Sequence, residues 1–205
     1  IEVKDAGDIT ARKTFVFDTF AANNLMIEVE DFNFGGGQFI DNPVPTPEGV
    51  GGENGYAMQF GIKRVDYDDT RTNFDDVPYR PSDNVRMQRT LDFPRAKFVA
   101  AGGAGAGVYD YDVGDIAAGE WLNYTRTFPA GTYQVYLREA LRNGTQIKTT
   151  LEQVTSDRTV ENQTTQPLGS FNTTPSGLQF RNVPLTDAVG NPITVDLSGE
   201  TTLRL

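Results

Sequence analysis

The sequence predicts an all-β fold, a β-sandwich of antiparallel sheets. The clearest sign is period-two alternation: Tyr133, Val135 and Leu137 fall on one side of an extended chain, and Gln134, Tyr136 and Arg138 on the other. The composition agrees, because 21 glycines and 11 prolines among many Thr, Asn and Asp favour short strands and turns over helices. Finally, no stretch sustains apolar spacing at i, i+3, i+4 over about a dozen residues, so little helix is expected.

The chain has 205 residues, enough for one large β domain or for a domain plus a piece of another. Its formal charge is −10 and its pI near 4.5. Both nucleic acid and anionic membrane surfaces need a basic footprint, so neither is an expected partner. The acidic balance fits an extracellular or cell-surface setting. Cysteine and histidine are both absent, which removes disulfides, thiolate metal sites and the commonest general base. Oxygen-ligated Ca²⁺ remains open. No run of about 18 apolar residues occurs, so no membrane insertion is expected. The first residue is Ile1, so the chain is read as a mature or excised fragment.

Residues 1–19 read as a hairpin. Ile1 and Val3 alternate, Asp5-Ala6-Gly7-Asp8 turns, and Phe15 and Phe17 alternate on the return. Residues 20–24 read as a linker. From Leu25 a strand is expected, with Ile27 and Val29 on one face and Glu28 and Glu30 on the other. Residues 35–55 form a Gly/Pro-rich loop stiffened by Pro43, Pro45 and Pro47; its length marks function or mobility. Residues 64–83 are acidic, with Asp66, Asp68, Asp69, Asp75, Asp76 and Asp83. The GGAGAG run at 102–107 lacks the strand-to-helix setting of a dinucleotide site and reads as a loop. Residues 111–138 read as two strands joined by a tight turn at Pro129, Ala130 and Gly131. Further strands are expected at 147–154, at 178–183 and around Ile193, Val195 and Leu197, followed by 201–205.

Val113, Gly114, Ile116, Gly119, Glu120, Trp121 and Tyr124, then Pro129, Ala130, Gly131, Thr132, Tyr133 and Val135, stand at a distinctive spacing. The stretch resembles the core of family 6 carbohydrate-binding modules. The strand from Leu25 and the set Tyr79, Arg80, Asp83 and Val85 extend the likeness over residues 20–205, with Arg86 where that family usually has Asp. The resemblance implies a jelly-roll sandwich with Trp121 in its core and a structural Ca²⁺ site on the first strand. It also implies one more strand after 201–205, either missing or supplied by another chain. Residues 1–19 resemble the last two strands of bacterial immunoglobulin-like domains. The expected division is therefore 1–19 as the end of such a domain and 20–205 as the sandwich.

Two glutamates at i and i+2 on a strand share a face about 7 Å apart, and they repel unless a cation or basic group lies between them. Glu28 and Glu30 are thus the first Ca²⁺ candidates, with solvated or Arg/Lys-paired glutamates as the bland alternative. Asp66, Asp68 and Asp69 are a secondary cation loop, lacking the Gly and Glu positions of an EF-hand. Sugar recognition needs an aromatic platform beside polar groups. Tyr109 and Tyr111, flanking Asp110 and Asp112, are candidates, together with Asp115. Asp115 stands where the resembling family has a cleft aromatic, and Gly177-Leu178 offers no second one.

No nucleophile motif or cofactor loop is present, so no enzyme is expected. The expected function is a non-catalytic module that binds a polysaccharide or other glycan in a larger extracellular bacterial protein, with structural calcium. The alternative is a structural or adhesive building block of a surface layer or fibre. It would meet neighbouring chains through an open sheet edge beside 201–205.

Overall fold

The computed structural model describes residues 2–4, 7, 10–12, 24–70 and 79–205. The chain is all-β with antiparallel sheets. Near the N-terminus β1 (Glu2–Lys4) pairs with β2 (Thr10–Arg12), Val3 opposite Ala11, and Gly7 lies in a turn. Phe15, Phe17, Asp75 and Asp76 lie outside the described residues.

A five-stranded sheet runs in the order β3 (Tyr67–Asp68), β6 (Trp121–Gln134), β11 (Thr194–Arg204), β8 (Ile147–Val154) and β9 (Thr165–Thr173). Two small sheets pair β4 (Met87–Arg89) with β5 (Tyr111–Val113), and β7 (Tyr136–Glu139) with β10 (Arg181–Pro184). A five-residue helix α1 (Ala96–Ala100) and a 3₁₀ turn over Gly103–Ala106 link β4 to β5.

Both small sheets pack on the large one. One core gathers Phe32, Tyr56, Tyr67, Met87, Tyr111, Leu122 and Tyr124; the other gathers Phe128, Leu151, Phe171, Leu185, Val195, Leu197 and Leu203. Fully burying a side chain of this kind contributes about 1.5–3 kcal/mol, so these two clusters supply the driving force for the sandwich.

The turn expected at Pro129–Gly131 does not form. β6 runs straight through, with Phe128 opposite Gly199 and Gly131 opposite Leu197. Pro129 and Ala130 face the single residue Ser198 across a bulge, and Gly199 supplies the left-handed conformation there (φ +61°). A bulge is one of the few places in a sheet where the missing proline N–H breaks no ladder bond. The chain bends instead at Val135, whose carbonyl accepts the Leu185 N–H at 2.9 Å. There β6 leaves the large sheet and becomes β7 of a small one, while Tyr133, Val135 and Leu137 all face the second core as the alternation predicts.

The strand expected from Leu25 is also corrected. Residues 24–33 join no ladder, and the Asp31 N–H closes a turn on the Glu28 carbonyl at 3.0 Å. The Asn33 N–H donates to the Asn123 carbonyl of β6 at 2.7 Å, and side chains satisfy much of the rest of this main chain in place of a neighbouring strand. Tyr124 Oη donates to the Val29 carbonyl at 2.9 Å, Arg126 to that of Asp31 at 3.0 Å, and Arg80 to those of Phe32 and Asn33.

Thr201–Arg204 is interior, which corrects the expected open edge. Thr201, Thr202, Leu203 and Arg204 pair with Arg126, Thr125, Tyr124 and Asn123 of β6, and Leu203 and Arg204 also pair with Gln153 and Glu152 of β8. Trp121 is only half-buried and belongs to neither core; its ring is covered by the Arg204 guanidinium at 3.6 Å.

Candidate functional site

The candidate cation residues separate into distinct environments. Glu28 is ion-paired with Arg95 at 2.5 Å and Lys97 at 2.6 Å, both from the α1 region. Glu30, 1% exposed, sits beneath it. Burial first, then the negative fields of Asp31, Glu28 and Asp110, push its carboxyl well above the ordinary range. Asp31 is raised by burial too, partly offset by the Tyr79 hydroxyl that donates to it at 2.5 Å. Burial likewise raises Asp110 to about 6, against the pull of the Arg95 N–H at 2.8 Å.

Asp66 has another task. Its carboxylate accepts the N–H groups of Gly36, Gly37 and Ile62 at 2.9, 2.6 and 2.8 Å, holding the glycine loop against the 62–66 turn. The three glycine-loop residues, Gly35, Gly36 and Gly37, have φ of +54°, +82° and +88°, open to glycine at little cost. Lys63 lies 3.9 Å from Asp68 and donates to the Asp69 carbonyl at 2.5 Å. Among the described residues no group of three or more acidic side chains converges as a metal site.

The candidate ligand residues divide as well. Tyr111 is 4% exposed, stacks on Tyr79 (4.6 Å, 29°) and donates to Glu48 at 2.8 Å. It is a core side chain and offers no ring face to a ligand. Tyr109 is half-buried, with the Arg89 guanidinium 3.7 Å over its ring. Asp115 is exposed, in the left-handed region (φ +52°), and pairs with Arg86. Asp112 is buried, its carboxyl raised by that burial against the pull of neighbouring Gln88 and Thr90, and its Oδ2 has no hydrogen-bond partner among the described residues.

Alternation explains the grouping. On β4 and β5, Met87, Tyr111 and Val113 point to the core, so Gln88 and Asp112 point the other way, as does Arg86 just before β4. This face continues past β4. The Asp92 N–H donates to Thr90 Oγ1 at 3.1 Å, the Asp92 carboxylate takes Arg138 Nε, and Arg138 Nη1 reaches Asn182 Oδ1 at 3.4 Å. A polar track therefore crosses from β5–β4 to β7–β10, from Asp115 and Arg86 through Asp112, Thr90 and Asp92 to Arg138 and Asn182.

Asp92, Arg138 and Asn182 escape a sequence reading because they come from three separated segments. The one signal available is that Tyr136 and Arg138 share the polar face of an alternating strand. Elsewhere a small hollow of about 240 Å³ is lined by Leu25, Met26, Ile27, Asp41, Asn42, Arg126, Thr127 and Phe128. No family model, no curated protein and no solved structure matches this chain.

Proposed function

We propose that this β-sandwich is a non-catalytic carbohydrate-binding module of a larger extracellular or cell-surface bacterial protein, with the jelly-roll arrangement of the family 6 modules it resembles. The observation that carries the reading is the polar track from Asp115 to Asn182. It sets carboxylate, guanidinium, hydroxyl and amide groups along one side of the sandwich, exposed at Asp115, Arg138 and Asn182 and buried at Asp112, the donor and acceptor mixture that reads sugar hydroxyls. An open track suits a polymer chain better than a small enclosed molecule. The test is a glycan array probed in Ca²⁺ and again in EDTA; silence across all polysaccharides would sink the reading.

Calcium belongs to the same proposal. The Glu30 carboxylate, buried and within the negative fields of Asp31, Glu28 and Asp110 though not converging with them as a ligand set, carries a charge that a hard cation would neutralise. Glu28 and Glu30 would be its ligands, and Glu28 would have to leave Arg95 and Lys97.

A further inference from the structure

We propose that the Arg138 end of the polar track is the stacking subsite for a neutral polysaccharide, with Phe93 and Tyr136 as its two aromatic platforms. The inference rests on the glycan-binding reading and names the residues and the glycan class.

Phe93 is 89% exposed and Tyr136 is 55% exposed, the two most exposed aromatic rings among the described residues apart from Phe60. Singly exposed apolar residues are ordinary, but these two rings are neighbours in the chain of the two members of the Asp92–Arg138 pair. Tyr136 and Arg138 are two residues apart on the outward face of β7, about 7 Å along the strand. Phe93 follows Asp92, whose carboxylate is bound to Arg138.

Both rings stand on restrained backbone. Tyr136 is fixed by the β7–β10 ladder, where it opposes Pro184. Phe93 lies between the anchored Asp92 and Pro94, and a residue before proline is confined to extended conformations. A restrained backbone leaves only side-chain freedom to be lost on binding. A pyranose presents an apolar C–H face and a rim of hydroxyls. The rings take the face, while the Asp92 carboxylate, the Arg138 guanidinium and the Asn182 amide take the rim.

Charge selects the class. The Arg138 cation is already matched by Asp92, and the chain as a whole carries −10. A sulfated or uronate polymer would meet no free cation in this trio and a repulsive field around it.

The experiment is affinity electrophoresis of the whole chain in gels containing neutral polysaccharides (β-glucan, xylan, mannan and galactan) or polygalacturonate. It compares the native protein with Phe93→Ala, Tyr136→Ala and, as a control, Phe60→Ala, an exposed ring outside the polar track. Retardation by a neutral polymer is expected. Phe93→Ala and Tyr136→Ala should each weaken it about tenfold, while Phe60→Ala leaves it within twofold. Phe93 is too exposed for its truncation to unfold the protein, and equal melting temperatures check this. Neutral-polymer binding unchanged in both Phe93→Ala and Tyr136→Ala overturns the subsite and leaves the glycan-binding reading standing. Binding of polygalacturonate alone overturns the charge argument. Binding of no polymer overturns the subsite together with the reading it rests on.

Discussion

Replacing Arg80 by Met should be the most damaging single change near the first core. Arg80 and Asp83 are fully buried and joined at 2.7 Å. The guanidinium also donates to the carbonyls of Phe32 and, at 3.0 Å, Asn33, and it lies 3.6 Å over the Phe32 ring. Breaking a buried pair by removing one partner costs about 3–5 kcal/mol, because the other charge is left uncompensated. Unsatisfied buried carbonyls add about 1–3 kcal/mol each, less than additively. The total is roughly 5 kcal/mol, comparable with the whole stability of many domains. Urea unfolding followed by tryptophan fluorescence reads it. With a slope of about 2.5 kcal/mol per molar, the midpoint should fall by about 2 M. The double variant Arg80→Met, Asp83→Asn should be more stable than Arg80→Met alone. An asparagine side chain carries no charge, and its amide oxygen can still accept the Gly61 N–H that Asp83 holds at 2.7 Å. A fall below about 0.5 M for Arg80→Met, or no recovery in the double variant, would refute the assignment of Arg80 as the buried cross-link of this segment.

Other expectations follow from the same geometry. Asp110 has its folded pKa raised from an ordinary 3.8 to about 6, so the native state binds the extra proton between those values. Its contribution to stability therefore falls as pH rises from about 4 to 6 and is level above that, a swing of roughly 3 kcal/mol. Asp110→Asn should flatten this part of a pH–stability curve measured by chemical denaturation. EDTA should lower the melting temperature and Ca²⁺ restore it, and Glu30→Gln should remove the response; an identical melt in both conditions would rule out the calcium site. At Gly169 an added Cβ would meet the Thr186 carbonyl at 2.8 Å and Leu185 Cγ at 2.9 Å, so Gly169→Ala should cost about 1–3 kcal/mol, whereas Gly105→Ala, with open space around it, should be near neutral in the same melt. Tyr111→Phe loses one hydrogen bond to Glu48 and should cost about 1 kcal/mol while leaving polysaccharide retardation unchanged.

The sequence by itself determined the class of the fold and several of its strands. Alternation in 133–138 names the side of the chain that meets a core, and the run Ile147–Val154 is a strand over its predicted length. These are local properties, set by the pleat and by residue type over a few neighbours. Period two says which residues share a face. It does not say which face another layer will cover, or how deeply. Tyr111 and Tyr136 look alike in sequence, each on a strand beside charged residues, yet one stacks on Tyr79 beneath the β4–β5 sheet and the other stands in solvent. Glu28 and Glu30 share a pattern, but the 28–31 turn gives the first to Arg95 and Lys97 and sends the second inward. Pro129 signals a turn until β11 arrives from some 70 residues away with a bulge that accommodates it. Only the tertiary structure decided these outcomes, and with them the polar track. Burial and hydrogen-bond pairing there depend on segments distant in the chain, whose approach no local spacing encodes.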